Sequence, residues 1–381
     1  MARSTLLLVL PWSAEHPAGV SVVVRNLLAC MDRRVLSPEI VVSDWAYPLP
    51  RKGEDGAPWF RFALFGGDVE KAGWKQYLAV PLRLFRTWRL LSSMNAQAVN
   101  FHYPSLQALG VALLKRMGLY RGRLVLSFHG TDVRKPRPGR ESRLWTLIFG
   151  QADAISACSR NLAERVAAEF GLPTGRISVV YNGVDSVIFS PTAEPVPLPV
   201  VLPSDYVVSV GSYLPRKGHR ILLAAFASIA SEFPDTGLVI AGMDGPEREP
   251  LRQEADRLGV GGRLVCLVDL SREAVAYVLS RSRACVQPSY AEPFGLAVIE
   301  AGACGAPLAA SAVGGHLELL RDNDTGLFFP AGDVAACANA LRHLLQDQLV
   351  ARAMADRFRK EVGRIYTWQA CADAYLSLAR D

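Results

Sequence analysis

The stretch Pro288-Ser289-Tyr290-Ala291-Glu292-Pro293-Phe294-Gly295-Leu296-Ala297-Val298-Ile299-Glu300-Ala301-Gly302 decides how this chain is read. Two carboxylates, Glu292 and Glu300, bracket seven uncharged residues. Pro293 suits the first turn of a helix, so the pattern predicts a helix from about Phe294, with Glu300 about two turns in. Gly295 lets backbone and ligand approach closely, and the free N–H groups of that turn make an anion site. Glu300 then sits on an otherwise apolar helix, where an ionised carboxylate is costly unless donors satisfy it. The vicinal hydroxyls of a sugar supply two such donors. Phosphate at the helix start and hydroxyls on either side describe a sugar nucleotide. A buried Glu in a structural hydrogen bond or ion pair is the plainer account of the same two residues.

Outward from this stretch, short apolar runs alternate with longer amphipathic ones, the pattern of α/β domains with parallel sheets. In the first half the expected strands are Leu6–Leu10, Glu39–Ser43, Ala98–His102, Leu124–His129, Ala154–Ala157 and Ile177–Tyr181. The expected helices there are Val20–Met31, Gln76–Ser93, Ser105–Met117 and Arg160–Phe170. Pattern restarts with strands at Tyr206–Gly211, Leu238–Ala241, Leu264–Leu267, Ala284–Gln287 and Pro307–Ala310. Proline at 191, 195, 197 and 199 bars helix and central strand, so residues 191–203 read as an extended linker. The organisation is therefore an N-terminal domain over 1–190, the linker, a C-terminal domain over 204–366 and a terminal amphipathic helix over 367–381. The architecture expected is two Rossmann-like domains with parallel sheets facing across a cleft, with ligands outside the carboxyl ends of the strands.

Half the 381 residues are hydrophobic, enough for two cores. No run approaches the length of a membrane span. Met1 to Leu10 mimics a short signal peptide, but Pro11-Trp12 follows without a small-residue cleavage site, so a buried first strand is expected. Seven cysteines without a Cys-x-x-Cys fit a reducing cytoplasm and no zinc site. Residues 1–190 hold 24 Lys and Arg against 14 Asp and Glu, a net of +10, while the remainder is at −4. A basic first half suits an anionic membrane or a phosphate-bearing acceptor, and no nucleic-acid signature accompanies it.

Further segments carry chemistry. Val210-Gly211-Ser212-Tyr213-Leu214-Pro215-Arg216-Lys217-Gly218-His219 follows a strand and opens a helix, so Arg216 and Lys217 are placed to neutralise a diphosphate. Gly19, in Pro17-Ala18-Gly19-Val20-Ser21, joins the first strand to a helix. Ser127-Phe128-His129-Gly130-Thr131-Asp132 puts His129 at a strand's carboxyl end, and His102 ends the preceding strand similarly. His102 and Asp132 are candidates for an acceptor side. Asp322-Asn323-Asp324 imitates a metal-binding Asp-x-Asp, yet it lies between a helix end and Thr325-Gly326 and reads as a solvated turn. Between Lys71 and Ser93, Lys71, Lys75, Arg83, Arg86 and Arg89 interleave with Trp74, Tyr77, Leu78, Leu82, Phe85 and Trp88, as in a helix at a membrane surface; a packed helix with a solvated basic face is the plainer account.

The string from Pro288 to Gly302 resembles the donor-site signature of the family 4, group 1 glycosyltransferases, which are retaining enzymes of the GT-B fold. The resemblance runs from Gly19 to about Leu345, and includes Asn182-Gly183-Val184-Asp185, Gly314-Gly315-His316-Leu317-Glu318 and Thr325-Gly326-Leu327. It implies that Glu292 contacts the donor sugar, Glu300 the ribose, and the amides of Phe294, Gly295 and Leu296 the diphosphate. It implies further that Lys217 stabilises the leaving group, that Gly19 faces the donor phosphates, and that His129 lies beside the donor sugar. His129, Lys217 and Glu292 are the catalytic candidates. The family usually has Arg where this chain has Ser212, and two glycines where it has Gly19 alone. The terminal helix resembles one that crosses back to the N-terminal domain. The expected substrate is a nucleoside-diphosphate sugar, with neither cofactor nor metal, and the acceptor a glycan, lipid-linked in envelope or exopolysaccharide synthesis. The departures leave two alternatives open: a sugar-nucleotide-binding or docking subunit with weakened turnover, and a sugar-nucleotide epimerase or hydrolase.

Overall fold

A computed structural model describes residues 4–13, 15, 19–43, 51–52, 56–65 and 68–380. Its contacts divide the chain into two units, Met1–Asn182 with Trp368–Asp381, and Gly183–Thr367. The first boundary falls at Asn182, ahead of the Pro-rich residues 191–203.

The first unit runs β1 (Thr5–Leu10), α1 (Gly19–Cys30), β2 (Ser37–Ser43), β3 (Arg51–Lys52), β4 (Pro58–Phe60), α2 (Trp74–Leu78), α3 (Val80–Ser93), β5 (Ala96–His102), α4 (Leu109–Arg116), β6 (Arg123–Phe128), α5 (Arg140–Gln151), β7 (Ala154–Ala157), α6 (Arg160–Phe170) and β8 (Ile177–Val179). Among the described residues its strands form one sheet in the order β3-β4-β2-β1-β5-β6-β7-β8, parallel except for β3 against β4. Every residue of β1 is buried, which is why it is a continuous apolar run rather than an alternating one. The helix expected over Gln76–Ser93 is two helices, because Pro81 has no N–H to give and its ring crowds the preceding turn. β3 and β4 were not expected: at two and three residues they are too short to show a period.

The second unit runs β9 (Asp205–Val210), α7 (His219–Ile229), β10 (Thr236–Gly242), α8 (Arg248–Arg257), β11 (Leu264–Val268), α9 (Arg272–Arg281), β12 (Ala284–Gln287), α10 (Leu296–Ala303), β13 (Leu308–Ser311), α11 (His316–Leu319), β14 (Leu327–Phe329), α12 (Val334–Gln346) and α13 (Gln348–Ile365). Its parallel sheet has the order β11-β10-β9-β12-β13-β14. Val207, Leu222, Phe226, Ile240, Val286 and Leu341 are fully buried in the core on the face that α7 and α12 cover. The last helix, α14 (Trp368–Arg380), packs on α1, β5 and β6 of the first unit.

Strand order reverses at β9, with β10 on one side and β12 on the other. β12 pairs with β9 only through Ala284 and Cys285. Beyond them the Gln287 side-chain amide faces Val210; with its oxygen and nitrogen assigned to match these neighbours, it donates to the Val210 carbonyl at 3.0 Å and accepts from the Val210 N–H at 3.1 Å. A side chain thus stands in for backbone pairing, and the carboxyl ends of the two strands part. This is the switch point at which open α/β sheets bind ligands.

Candidate active site

Three loops meet at the carboxyl end of the second sheet. The first follows β9, where residues Pro215–Lys217 form one tight turn. The Tyr290 N–H donates to the Arg216 carbonyl at 2.8 Å, so the loop after β12 locks it. Lys217 then reaches across, its Nζ donating to Glu292 Oε2 at 2.6 Å. Burial alone would raise the Glu292 carboxyl, but Lys217, His316 and Arg216 outweigh it and hold the group below its ordinary value. Arg216 is exposed and makes no ion pair among the described residues. His219 is structural: it is buried, lies 3.2 Å from the Gly211 carbonyl and is pushed down to about 4 by burial.

The helix expected from Phe294 begins at Leu296 instead, with Gly295 as its cap at φ 111°. Pro293 lies outside it, and Glu300 is a little over one turn in, not two. The cause is tertiary. The Gly315 N–H donates to the Glu292 carbonyl at 2.9 Å, and a Cβ on Gly315 would lie 2.2 Å from the Phe294 carbonyl oxygen. Clamped by this second loop, the chain turns at Gly295 through a conformation that side chains resist. Phe294 is buried edge-on against Tyr366, 6.1 Å between ring centroids, and anchors the turn. No side chain caps α10, and the N–H groups of Gly295, Leu296 and Ala297 find no acceptor among the described residues.

His316, buried at the start of α11, was quoted within a motif but not singled out. It lies 3.0 Å from the Ser311 carbonyl through Nδ1, which must therefore carry the proton. Nε2 is left as an acceptor beside Gly295, where a Cβ would be 3.5 Å away. Burial lowers its pKa, and Glu292 partly restores it. Glu300 has no hydrogen-bonding partner for its carboxylate among the described residues, and burial pushes it up to about 7 although Arg272 and Lys217 pull the other way. Glu300 is half-buried, while Ser289 Oγ, and Nε of the Arg272 whose charge acts on Glu300, are buried without a hydrogen-bond partner. Unsatisfied polar groups of this kind are rare in a finished core.

The first unit carries its own cluster. His102 Nδ1 lies 3.0 Å from His129 Nε2 and the rings stack at 5.3 Å. His102 Nε2 is buried without a partner. An unpaired acceptor is cheaper than an unpaired donor, so His102 donates from Nδ1 and His129 accepts. Burial, with His129 alongside, holds His102 well below its ordinary value, and burial pushes His129 down to about 4. Asp132 accepts from the His129 and Gly130 N–H groups at 3.0 and 2.6 Å, yet burial raises it to about 6. A cavity of ≈ 190 Å³ opens beside it, with Tyr103, Thr131, Arg134, Glu141 and Trp145 in its wall. Beneath the His pair runs a buried ladder missed in the sequence: Ser127 Oγ donates to Asn100 Oδ1 at 2.7 Å and Ser156 Oγ to Ser127 Oγ at 3.0 Å. Asn100, Ser127 and Ser156, each flanked by apolar residues in adjacent strands, were its signal. Gly19 opens α1 at the surface, and its neighbours Pro17 and Ala18 lie outside the described residues. Asp324 of the Asp-x-Asp imitation pairs with Arg321 and Arg357, both at 2.8 Å.

Two family models match, one described as Glycosyl transferases group 1 over residues 193–361, the other as Glycosyltransferase Family 4 over residues 17–187. The chain is 33% identical over 242 residues to D-inositol 3-phosphate glycosyltransferase of Mycolicibacterium paratuberculosis, which covers 61% of this chain and 54% of that protein. The match therefore spans about half that relative's length. Sucrose-phosphate synthase from Thermosynechococcus elongatus shares the fold with a TM-score of 0.75 at 22% identity, covering 99% of this chain and 98% of that one. HepE from Anabaena, solved with UDP and glucose, does so with a TM-score of 0.72 at 17% identity, covering 98% of each.

Proposed function

This chain belongs to the group 1, family 4 glycosyltransferases and has the GT-B fold, and from that premise we propose that it moves a hexose from a nucleoside-diphosphate donor to an acceptor hydroxyl. The observation that carries the reading is the Lys217 ammonium standing with the open amides of Gly295, Leu296 and Ala297 at one end of one sheet. That set is cationic and donor-rich, as a diphosphate requires. Glu300 takes the ribose hydroxyls, whose two donors answer its unsatisfied carboxylate. Glu292, with one oxygen on Lys217, accepts from a donor-sugar hydroxyl through the other.

The reaction proceeds with retention. The bond from the anomeric carbon to the phosphate oxygen breaks, and its electron pair stays on that oxygen. The acceptor oxygen bonds to the carbon on the same face, and its proton passes to the departing phosphate. Glu292, bound to Lys217, is a poor nucleophile, which favours this route over a covalent intermediate. The protein's share is positioning and charge stabilisation by Lys217 and the helix amides, without a metal. The acceptor is a glycan unit of envelope or exopolysaccharide synthesis, carried on lipid at the inner face of the membrane; the net +10 of residues 1–190 supports this.

Ser212, where the family resemblance implies Arg, favours a second reading: a subunit that binds sugar nucleotide with little or no turnover. Thermal shift with UDP-, GDP- and ADP-sugars in EDTA, on wild type and Glu300→Ala, tests both. One nucleotide class should raise the Tm, and the variant should lose that rise. No rise with any donor, in a folded protein, overturns the donor site; a rise without transfer to any glycan acceptor leaves the second reading.

A further inference from the structure

Helices α2 and α3 turn an apolar stripe outward. On α3 the buried residues are Thr87, Leu90 and Leu91, while Leu82, Phe85 and Trp88 face solvent. α2 continues the stripe with Trp74, Tyr77 and Leu78, of which Trp74 is 69% and Leu78 70% exposed. Positions 82, 85 and 88 recur at helical spacing within α3, so they share one face. The Phe85 and Trp88 rings stand 5.9 Å apart. Single exposed hydrophobics are ordinary, but six large ones together mark an interaction surface.

The charge around the stripe selects its partner. From Lys71 to Thr131 the sequence carries nine Lys and Arg and no Asp or Glu. Lys75 and Arg89 are exposed on the same two helices, and Arg86 is half-buried. None of the three makes an ion pair among the described residues, whereas Arg83 turns inward to the Leu64 carbonyl. A second copy docking by this face would set cation against cation. An anionic bilayer answers both features: apolar rings enter the boundary between headgroups and acyl chains, and the cations meet lipid phosphates. No helix among the described residues is long and apolar enough to cross a membrane, so the element lies along the surface.

We propose that α2 and α3 form a membrane-docking element that lays this stripe on an anionic lipid bilayer. The surface uses none of the donor-site residues. The test is vesicle flotation of the full chain with phosphatidylcholine alone and mixed with phosphatidylglycerol. Wild type should float with the mixed vesicles only and release as salt rises. Leu82→Glu/Phe85→Glu should lose flotation at least tenfold with an unchanged Tm. Arg86→Gln/Arg89→Gln, which keeps the stripe, should weaken binding about fivefold for each charge removed. No flotation of wild type, or flotation indifferent to both double variants, overturns the proposal. So does a wild-type dimer, by sedimentation equilibrium, that Leu82→Glu/Phe85→Glu makes monomeric. Thermal shifts with UDP-, GDP- and ADP-sugars on the same samples separate this outcome from the transferase reading: a chain that binds donor but no vesicle keeps the second and loses the first.

Discussion

Lys217 Nζ and Glu292 Oε2 are 2.6 Å apart, joining residues 75 apart in sequence, with both side chains about one-seventh exposed. The pair fixes a positive charge beside open amides and keeps a carboxylate ionised that burial would protonate. Lys217→Met should therefore act twice. Turnover should fall by about 10²–10³ as the charge on the leaving phosphate goes unanswered. Stability should fall too, since a part-buried carboxylate loses its partner. Lys217→Met/Glu292→Gln should recover most of the Tm and none of the activity, in a double-mutant cycle read by calorimetry and by transfer assay. Glu292 is depressed in the fold, so the pair's stabilisation is present above the ordinary carboxylate value and is lost as pH falls through the folded one. Tm independent of pH across the acid range in wild type would contradict this.

Glu300 carries the opposite sign. Burial raises it to about 7, so the fold holds its proton more tightly than the unfolded chain does. Its contribution is present below the ordinary carboxylate value and is lost as pH rises through about 7. The donor reverses this, because ribose hydroxyls stabilise the ionised form. Donor affinity should rise with pH across about 7 while the Tm of the free protein falls. Glu300→Gln should flatten both trends and weaken donor binding about tenfold, from the loss of one charge-assisted pair of hydrogen bonds. Isothermal titration one pH unit either side of that value is the check.

The buried strands of both units were legible because a parallel strand covered on both faces is a short, continuous apolar run. Ala154–Ala157 and Ala284–Gln287 fall where those runs do. The edge strands Arg51–Lys52 and Pro58–Phe60 left no such trace. The start of α10 was misplaced because Pro293 is a local signal, and the turn is set by Gly315 approaching from another loop. Individual site residues showed themselves by position at strand ends. Their pairings did not. That His102 touches His129 depends on the register that sets His102 beside Ser127 across β5 and β6, and His316 shows no role until its ring is seen beside Gly295.

The His102–His129 pair should make the protein acid-sensitive before its carboxylates titrate. Both rings are neutral in the fold, and His129 is pushed down to about 4. As pH falls below the ordinary histidine value, the unfolded chain gains protons that the folded one refuses. Stability should then drop by up to about 1.4 kcal/mol per pH unit for each group in that window. Replacing His129 with Gln should reduce the slope and leave stability near neutral pH within about 1 kcal/mol. Thermal melts over that range decide it; a slope equal to wild type would remove the pair as its cause.

Ser212 and Arg216 test how the phosphate site of this chain works with a serine at 212 and an arginine at 216. Arg216 is exposed and unpaired among the described residues, yet near enough to Glu292 to help depress it. It is thus free to swing toward an anion, at the entropic cost of ordering a long side chain. Arg216→Ala should weaken donor binding about tenfold, chiefly through the diphosphate, so the free nucleoside diphosphate and the nucleotide sugar should lose affinity alike. Ser212→Arg places a guanidinium one turn closer to the strand and should strengthen both and raise turnover. It should also rescue Arg216→Ala. If Arg216→Ala binds donor as wild type does while Ser212→Arg gains affinity, the phosphate site runs on Lys217 and the α10 amides alone, and Arg216 is an ordinary surface residue.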